Sequence, residues 1–534
     1  MHRERLTCFL VSVVVIGALQ GCSKDWPAFR HNGLRTANQL HNSRLADPAK
    51  VSTLAVVWNF QPPGVAGFRA SPIVYKKRVY IGNGNGFFYA LNANDGSLVW
   101  QYPASGGTPL DTQFHCNPSS RGIASSAVIA EIAGTEAVIF GAPDRSSGSH
   151  LGDGHLFALN AATGALIWES PAVALVTGTT FASTTELHEQ IGYSSPLVFN
   201  DHVYVGIADH CDNPIQNGKV IAMRLADGAI DSGFHYSSTN TRGGGVWSSV
   251  TGWDDLYVTT GNARAWNGGS QPQPAVNHAL SLLRVDKNTG AVVWQHQPVP
   301  FSLDMDPDWS AGAAVMLSSC GTQIVSPQKD GWTWSVNAAN GSVHWAFPSG
   351  PWTSGGFQPG DGTVHNDTRY MRPGAAWGDV FITTTGGLEV ASNVGIGYGQ
   401  LHALNTCGPE RSRIRWIKNV PGASGGAYSL GPPTVTKGIV FVGTNLGHLV
   451  VIADPSVRPA VGWRCSDPLI PAPTCALWGT LFPNSVIRLV PDPAVLADIT
   501  LPGAGSIFGE PALAGNRVFV AGDGGKVFML EADP

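Results

Sequence analysis

Charge is what this chain has least of: Asp, Glu, Lys and Arg together make up 13% of its 534 residues. Exposed helical surface needs more Lys, Glu and Arg than that, so a mainly helical fold is excluded on composition. Neither sign is in large excess: 32 basic against 37 acidic residues give a formal charge of −5 and leave no basic face for nucleic acid. No C-x-x-C-H occurs, which excludes covalent c-type haem. The one long apolar run, Leu6 to Leu19, is too short and too isolated for a stable membrane span.

That run follows His2, Arg3 and Arg5 and ends in Leu19-Gln20-Gly21-Cys22, the pattern of a bacterial lipoprotein cleavage box. Residues 1–21 are expected to be a lipoprotein-type signal peptide, with Cys22 carrying a lipid anchor and residues 22–534 forming one domain. Ser23, rather than an aspartate, points to the outer membrane and a periplasm-facing protein; an ordinary signal peptide would predict export equally. Six further cysteines, Cys116, Cys211, Cys320, Cys407, Cys465 and Cys475, are an even number for an oxidising compartment, so disulfides are expected. Cys465 and Cys475 enclose a Pro-rich loop and are expected to pair locally; the pairing of the other four is open.

Glycine (65), proline (37) and tryptophan (17) are abundant, and they recur in register. Small-residue lead-ins to V/I/Y-rich runs stand at Ala70-Ser71-Pro72, Ser125-Ser126-Ala127, Ser194-Ser195-Pro196 and Ser248-Ser249-Val250. Others stand at Ser310-Ala311-Gly312, Pro373-Gly374-Ala375, Gly431-Pro432-Pro433 and Gly509-Glu510-Pro511, making eight. Between them runs a hairpin that closes on tryptophan: Asn92, Gly96, Trp100; Asn160, Gly164, Trp168; Asp286, Gly290, Trp294; Asn337, Gly341, Trp345. Weaker copies are Ala222 to Gly228, with Ser232 for the tryptophan, Ala403-Leu404-Asn405 with Trp416, and Val451 with Trp463. A four-stranded sheet cannot bury both faces alone, so the repeat predicts a ring of such sheets, each tryptophan docking on a neighbour. The last repeat stops at Leu530, and Leu54 to Phe60 reads as its missing outer strand. The expected fold is all-β, an eight-bladed β-propeller closed by an N-terminal strand joining the last blade.

The repeat of Ala-Leu-Asn, Gly and Trp resembles that of the quinoprotein dehydrogenases, which bind pyrroloquinoline quinone and Ca²⁺, over nearly all of the chain after the leader. The extras in the copy from Gly243 to Trp294 carry the functional part of the resemblance. Trp247, in Gly-Gly-Gly-Val-Trp, matches the family tryptophan that forms the floor under the quinone, where a planar ring needs a flat apolar support. Asn262, in Thr260-Gly261-Asn262, matches the asparagine whose oxygen binds Ca²⁺, a hard cation. Arg121 matches the arginine that pairs with a cofactor carboxylate, and Lys329 a basic residue near the quinone oxygens. The resemblance places the catalytic base among Asp304, Asp306 and Asp308, three carboxylates that would repel one another without a cation. Asp308, directly before Trp309-Ser310, is the expected base and Asp306 an expected metal ligand.

Three residues depart from the family. His115-Cys116 stands where alcohol dehydrogenases carry a vicinal cysteine pair, which frees Cys116 for a distant partner such as Cys211. No glutamate stands where the family binds Ca²⁺ near Ser125, and Asp144 is the nearest acidic substitute. Arg69 replaces a usual acid close to the cofactor carboxylates and is expected to pair with the cofactor directly. The resemblance implies a pyrroloquinoline quinone-dependent oxidation of a secondary or polymeric alcohol, nearest to the polyvinyl-alcohol-type dehydrogenases. The alternative is a non-catalytic outer-membrane lipoprotein propeller acting as an assembly scaffold.

Overall fold

In the computed structural model Trp58, Trp100, Trp168 and Trp294 each stand against the turn glycine of the next sheet, Gly96, Gly164, Gly228 and Gly341. The structure describes residues 24–42, 44–64, 66–110, 122–142, 154–173, 191–208, 217–237, 243–262, 273–274, 278–298, 301–302, 308–309, 312–348, 372–385, 399–423, 430–465 and 489–533. The expected leader, Cys22 with its expected lipid anchor, and the expected pairing of Cys465 with Cys475 lie outside them. Among the described residues the strands form eight four-stranded antiparallel sheets and two two-stranded ribbons. The innermost strands, which number the blades 1 to 8, are Ile73–Tyr75, Val128–Ile132, Leu197–Phe199, Thr251–Gly252, Ala314–Ser318, Ala375–Trp377, Thr434–Thr436 and Ala512–Ala514. This is the expected eight-bladed propeller. Ala55–Phe60 lies on the outer edge of blade 8, with Ala55 opposite Glu531 and Phe60 opposite Val527.

The hairpin turns explain the spacing of glycine and tryptophan. Gly96, Gly164, Gly290 and Gly341 all have φ between +71° and +78°, a conformation that costs glycine nothing. A Cβ on Gly96 would lie 2.6 Å from the Trp58 ring, and one on Gly164 2.7 Å from Trp100. The indole N–H of each tryptophan then reaches a backbone oxygen of the next blade: Trp58 to Ala93 (3.2 Å), Trp100 to Ala161 (3.2 Å), Trp168 to Leu225 (3.0 Å) and Trp294 to Ala338 (2.9 Å). Each such bond is worth about 1 kcal/mol net, and the apolar area under the ring adds to it. Trp416 makes the same contact with the Asp454 carboxylate of blade 7 (2.8 Å).

One weak copy was misplaced by the repeat. Trp463 does not close blade 7; it lies on the ribbon strand Gly462–Cys465 and is 68% exposed. The fourth strand of that blade is Ala494–Thr500, paired with His448–Ala453. Asp454-Pro455-Ser456 carries no turn glycine, and the chain makes an excursion before it returns to the sheet. In blade 3, where Ser232 stood for the tryptophan, Tyr236 is buried at the outer strand and Gly290 packs on His235.

Segment 26–39 runs across the innermost strands and touches every blade. Trp26 bridges Val74, Ala28 bridges Val128, and the Gly33, Leu34, Thr36 and Ala37 carbonyls accept the amides of Gly252, Val315, Ala376 and Val435. Arg35 donates to Ser195, Pro196 and Val250 carbonyls, and Arg30 to Pro433, Gly374 and Glu510. Arg30, His31, Arg35 and Ala37 hold positive φ, a strained state for non-glycine residues that the surrounding bonds sustain. Around the axis a second run of bonds links blade 8 to blades 1 to 4. The amide of Ser71 donates to the Ser126 hydroxyl, Ser126 to Ser195, Ser195 to Ser249, and Glu510 to Ser71. This explains the small residue at the second lead-in position.

Of the expected disulfides, Cys320 and Cys407 are joined, fastening a turn of blade 5 to the end of a strand in blade 6 across 87 residues of sequence. Removing a cross-link over so long a loop restores denatured-state entropy, so Cys320→Ser with Cys407→Ser is expected to cost about 2–4 kcal/mol. A urea midpoint equal to that of the wild type would show the bond to be energetically silent.

Candidate active site

The innermost strands all begin at one end of the channel, the mouth, and the expected site residues gather in their lead-ins. Trp247 is four residues before Thr251–Gly252 in blade 4. Its backbone reaches there through Gly243 and Gly244, at φ +117° and +70°. A Cβ on Gly218 of blade 3 would lie 1.8 Å from the Gly244 oxygen, so these glycines serve to pass neighbouring backbone rather than to admit a ligand. Gly261 donates to the Gly245 carbonyl (2.8 Å) and Gly244 to the Asn262 carbonyl (2.7 Å), which lays the Thr260-Gly261-Asn262 segment beside Trp247. Asn262 is buried there, and its side-chain amide oxygen is a hard donor by type.

Asp308 comes to the same place from blade 5. Trp309 bridges Gln328, and the Lys329 amide donates to the Asp308 carbonyl at 3.0 Å, so the two side chains leave the backbone side by side. The Asp308 carboxylate takes Lys329 Nζ on Oδ1 at 2.5 Å and Trp247 Nε1 on Oδ2 at 2.7 Å. Lys329 Nζ also stands over the Trp247 ring, 5.1 Å from its centre. Asp308 is 3% exposed, and two strong donors fix its orientation and stabilise its charge. An ionised carboxylate is an acceptor only, so Asp308 has the chemistry to take a proton from a hydroxyl at the mouth. His296, edge-on to Trp309 and tilted against Trp334, is pushed down to about 4 by burial and stays neutral.

The structure thus brings Trp247, Asp308, Lys329 and Asn262 together, three of them in direct contact. Arg69 shares the mouth but not that cluster: its guanidinium stands over Phe508, 4.8 Å from the ring centre. Arg121, Asp144, Asp304 and Asp306, with Cys116 and Cys211, lie outside the described residues. Sequence reasoning missed Phe508 and Arg372. Phe508 is four residues before Ala512–Ala514, as Trp247 is before its own strand, so the register of the repeat carried the signal.

The donor set suits a planar, oxygen-rich cofactor. The Trp247 face is half-buried and met by a cation rather than packed by core side chains. A carboxylate base and a buried amide oxygen flank it.

Comparison with known proteins agrees with this arrangement. The profile of the glucose/ethanol/alcohol dehydrogenase β-propeller domain, of the pyrroloquinoline quinone type, matches residues 26–361. The quinoprotein alcohol dehydrogenase PedH of Pseudomonas putida is 24% identical over 307 residues, 50% of this chain and 46% of that protein. The chain therefore spans about half the length of that curated relative in the match. The solved quinohemoprotein alcohol dehydrogenase of Comamonas testosteroni superposes with a TM-score of 0.66 at 16% identity, over 98% of this chain and 82% of the other. A europium-containing methanol dehydrogenase gives 0.63 at 15% identity, over 96% and 99%. At such identities these structures speak for the fold alone. By the profile match over more than half its length, on a propeller whose mouth carries the tryptophan, carboxylate and lysine, the chain belongs to the pyrroloquinoline quinone-type dehydrogenase family of β-propellers.

Proposed function

We propose that this protein is a quinoprotein dehydrogenase that oxidises an alcohol, secondary or polymeric, at the cell envelope. The observation that carries it is the Asp308 carboxylate held between Trp247 Nε1 and Lys329 Nζ at the channel mouth. When bound, pyrroloquinoline quinone supplies the hydride-accepting oxidant, and Ca²⁺ on oxygen ligands supplies its polarisation. Trp247 would support the ring, Lys329 would face its oxygens and Asn262 would give the metal an amide oxygen. Asp308 removes the hydroxyl proton of the substrate, and Lys329 holds the acid in place. A separate electron acceptor reoxidises the site, since the chain has no haem motif. The lipoprotein box at Cys22 supports an outer-membrane anchor facing the periplasm. That same box favours a second reading, a non-catalytic envelope scaffold.

One measurement separates the two. A ligand that binds only the folded state stabilises it by mass action, by about 2.7 kcal/mol at a hundred times its Kd. Pyrroloquinoline quinone with Ca²⁺ is therefore expected to raise the melting temperature of the purified chain by several degrees. A folded protein whose melting temperature does not move at saturating cofactor is a scaffold, not this enzyme.

A further inference from the structure

The side of the propeller opposite the mouth carries a group of exposed apolar side chains on blade 7. Its inner strand Thr434–Thr436 runs from the mouth to this far side, where the Thr436 hydroxyl donates to the Gln39 carbonyl (2.6 Å) and Leu40, next in the chain, is half exposed. The third strand, His448–Ala453, ends on the same side. The ribbon of Gly462–Cys465 and Leu489–Asp492 starts there, since Val461 donates to the Asp492 carbonyl (2.9 Å) and Ala494 pairs with Ala453. In the ribbon Trp463 is opposite Pro491 and Cys465 opposite Leu489, and opposed residues share a face, so Val461, Trp463 and Leu489 point the same way. The other face is taken: Val490 is buried, and Asp492 meets Lys418 of the blade 6 outer strand Ile414–Asn419 at 3.0 Å. Val461, Trp463 and Leu489 are 70%, 68% and 61% exposed. Other exposed apolar side chains, Val57, Val99, Leu166, Val293 and Val343, are spread one to a blade round the outer strands, where no flat surface meets them together.

The chain enters the fold on this same side. The Lys24 carbonyl accepts the amide of Gly515, in the turn that follows the inner strand Ala512–Ala514 of blade 8, the neighbour of blade 7. One residue separates Lys24 from Cys22, so a lipid on Cys22 would be attached within about 7 Å of Lys24 at full extension. A tether that short holds the far side, and not the mouth, against a bilayer. Exposed tryptophan suits such a boundary, its ring being apolar and its N–H left to water or headgroups. Lys24, Lys77 and Lys437 are exposed on the far side, but so are Asp95 and Asp533, so apolar contact rather than net charge has to carry the attachment.

We propose that the far side at blades 7 and 8 lies on a lipid surface through Leu40, Val461, Trp463 and Leu489, with the mouth opening away from the membrane. This rests on the lipid anchor read at Cys22, and it leaves the site open to a soluble electron acceptor and substrate. The test adds the full lipid-bearing chain to vesicles of phosphatidylethanolamine and phosphatidylglycerol, and follows a membrane-impermeant maleimide at Leu40→Cys, Val461→Cys and Leu446→Cys. Leu446 is exposed in the turn between Thr444 and Gly447, at the mouth end of the same blade. Against the same variants in solution with Cys22→Ser, labelling at Leu40→Cys and Val461→Cys is expected to slow about tenfold or more, and at Leu446→Cys not at all. Slowing at Leu446→Cys instead would put the mouth on the membrane, and unchanged rates at all three would show the propeller standing clear of it; either result overturns the proposal. The mass of the N-terminal peptide reads the anchor separately. If Cys22 carries no lipid, that reading fails, and flotation of the chain with vesicles, lost in Trp463→Ser, would keep the far side as a lipid surface. An unlipidated chain that stays in solution would end both.

Discussion

Asp308→Asn is expected to lower turnover of a secondary alcohol, with an artificial electron acceptor, by about a hundredfold or more. Asparagine keeps the size and polarity of the side chain but cannot take the hydroxyl proton. The geometry makes the substitution more disruptive than a simple loss of basicity. Lys329 Nζ donates to one carboxylate oxygen and Trp247 Nε1 to the other, and in an amide one of those oxygens is replaced by a donating NH2. One of the two must therefore lose its hydrogen bond, and the Trp247 ring is the lighter anchor. Quinone affinity is expected to fall little, and tryptophan fluorescence should report any shift of the ring. A large loss of affinity with Ca²⁺ dependence would instead make Asp308 a metal ligand and transfer the base to Asp304 or Asp306. Unchanged turnover in the asparagine variants of all three would leave the scaffold as the better reading.

The features legible in the sequence are those whose cause is local. A hairpin turn that needs positive φ selects glycine, and an indole that must cover it selects tryptophan, so Gly96 with Trp100 or Gly164 with Trp168 print a blade directly in the sequence. The contact runs between blades, Trp58 on Gly96 and Trp100 on Gly164, but the repeat makes every interface alike, and the pattern survives. Where a copy lacked its turn glycine, at Asp454-Pro455-Ser456, the reading failed and Trp463 was taken for a docking residue.

The site was legible as residue types at the mouth and not as contacts. Trp247 and Asp308 are 61 residues apart, and only the crossing from blade 4 to blade 5 brings the indole N–H to the carboxylate. Arg372 stands in a lead-in that the repeat located, yet its meeting with Phe508 depends on a side chain reaching past a whole blade. Segment 26–39 was invisible for a stronger reason. It has no periodicity of its own, its backbone is locally unfavourable at Arg30, His31, Arg35 and Ala37, and many of the bonds that hold it come from partners hundreds of residues away.

Those partners set the largest expected effect on stability. Glu510 is fully buried and takes the place that serine holds in blades 1 to 4. Its carboxylate accepts Arg30 Nη1 at 2.7 Å, the Arg30 amide at 2.5 Å and the Trp26 indole at 3.3 Å. Burial pushes the Arg30 guanidinium down, and Glu510, through its charge and its hydrogen bond, opposes that shift. Glu510→Gln keeps the shape and removes the charge, leaving the buried Arg30 cation with only neutral oxygens beside it, those of Pro433, Gly374 and the new amide. Breaking one side of such a pair costs about 3–5 kcal/mol, far more than the pair itself contributes over an apolar replacement. The single variant should therefore shift the urea midpoint strongly downward, and adding Arg30→Met should recover most of the loss, since the stranded charge goes with it. A loss below about 1 kcal/mol in the single variant would mean that water reaches Arg30, and that segment 26–39 does not close the channel.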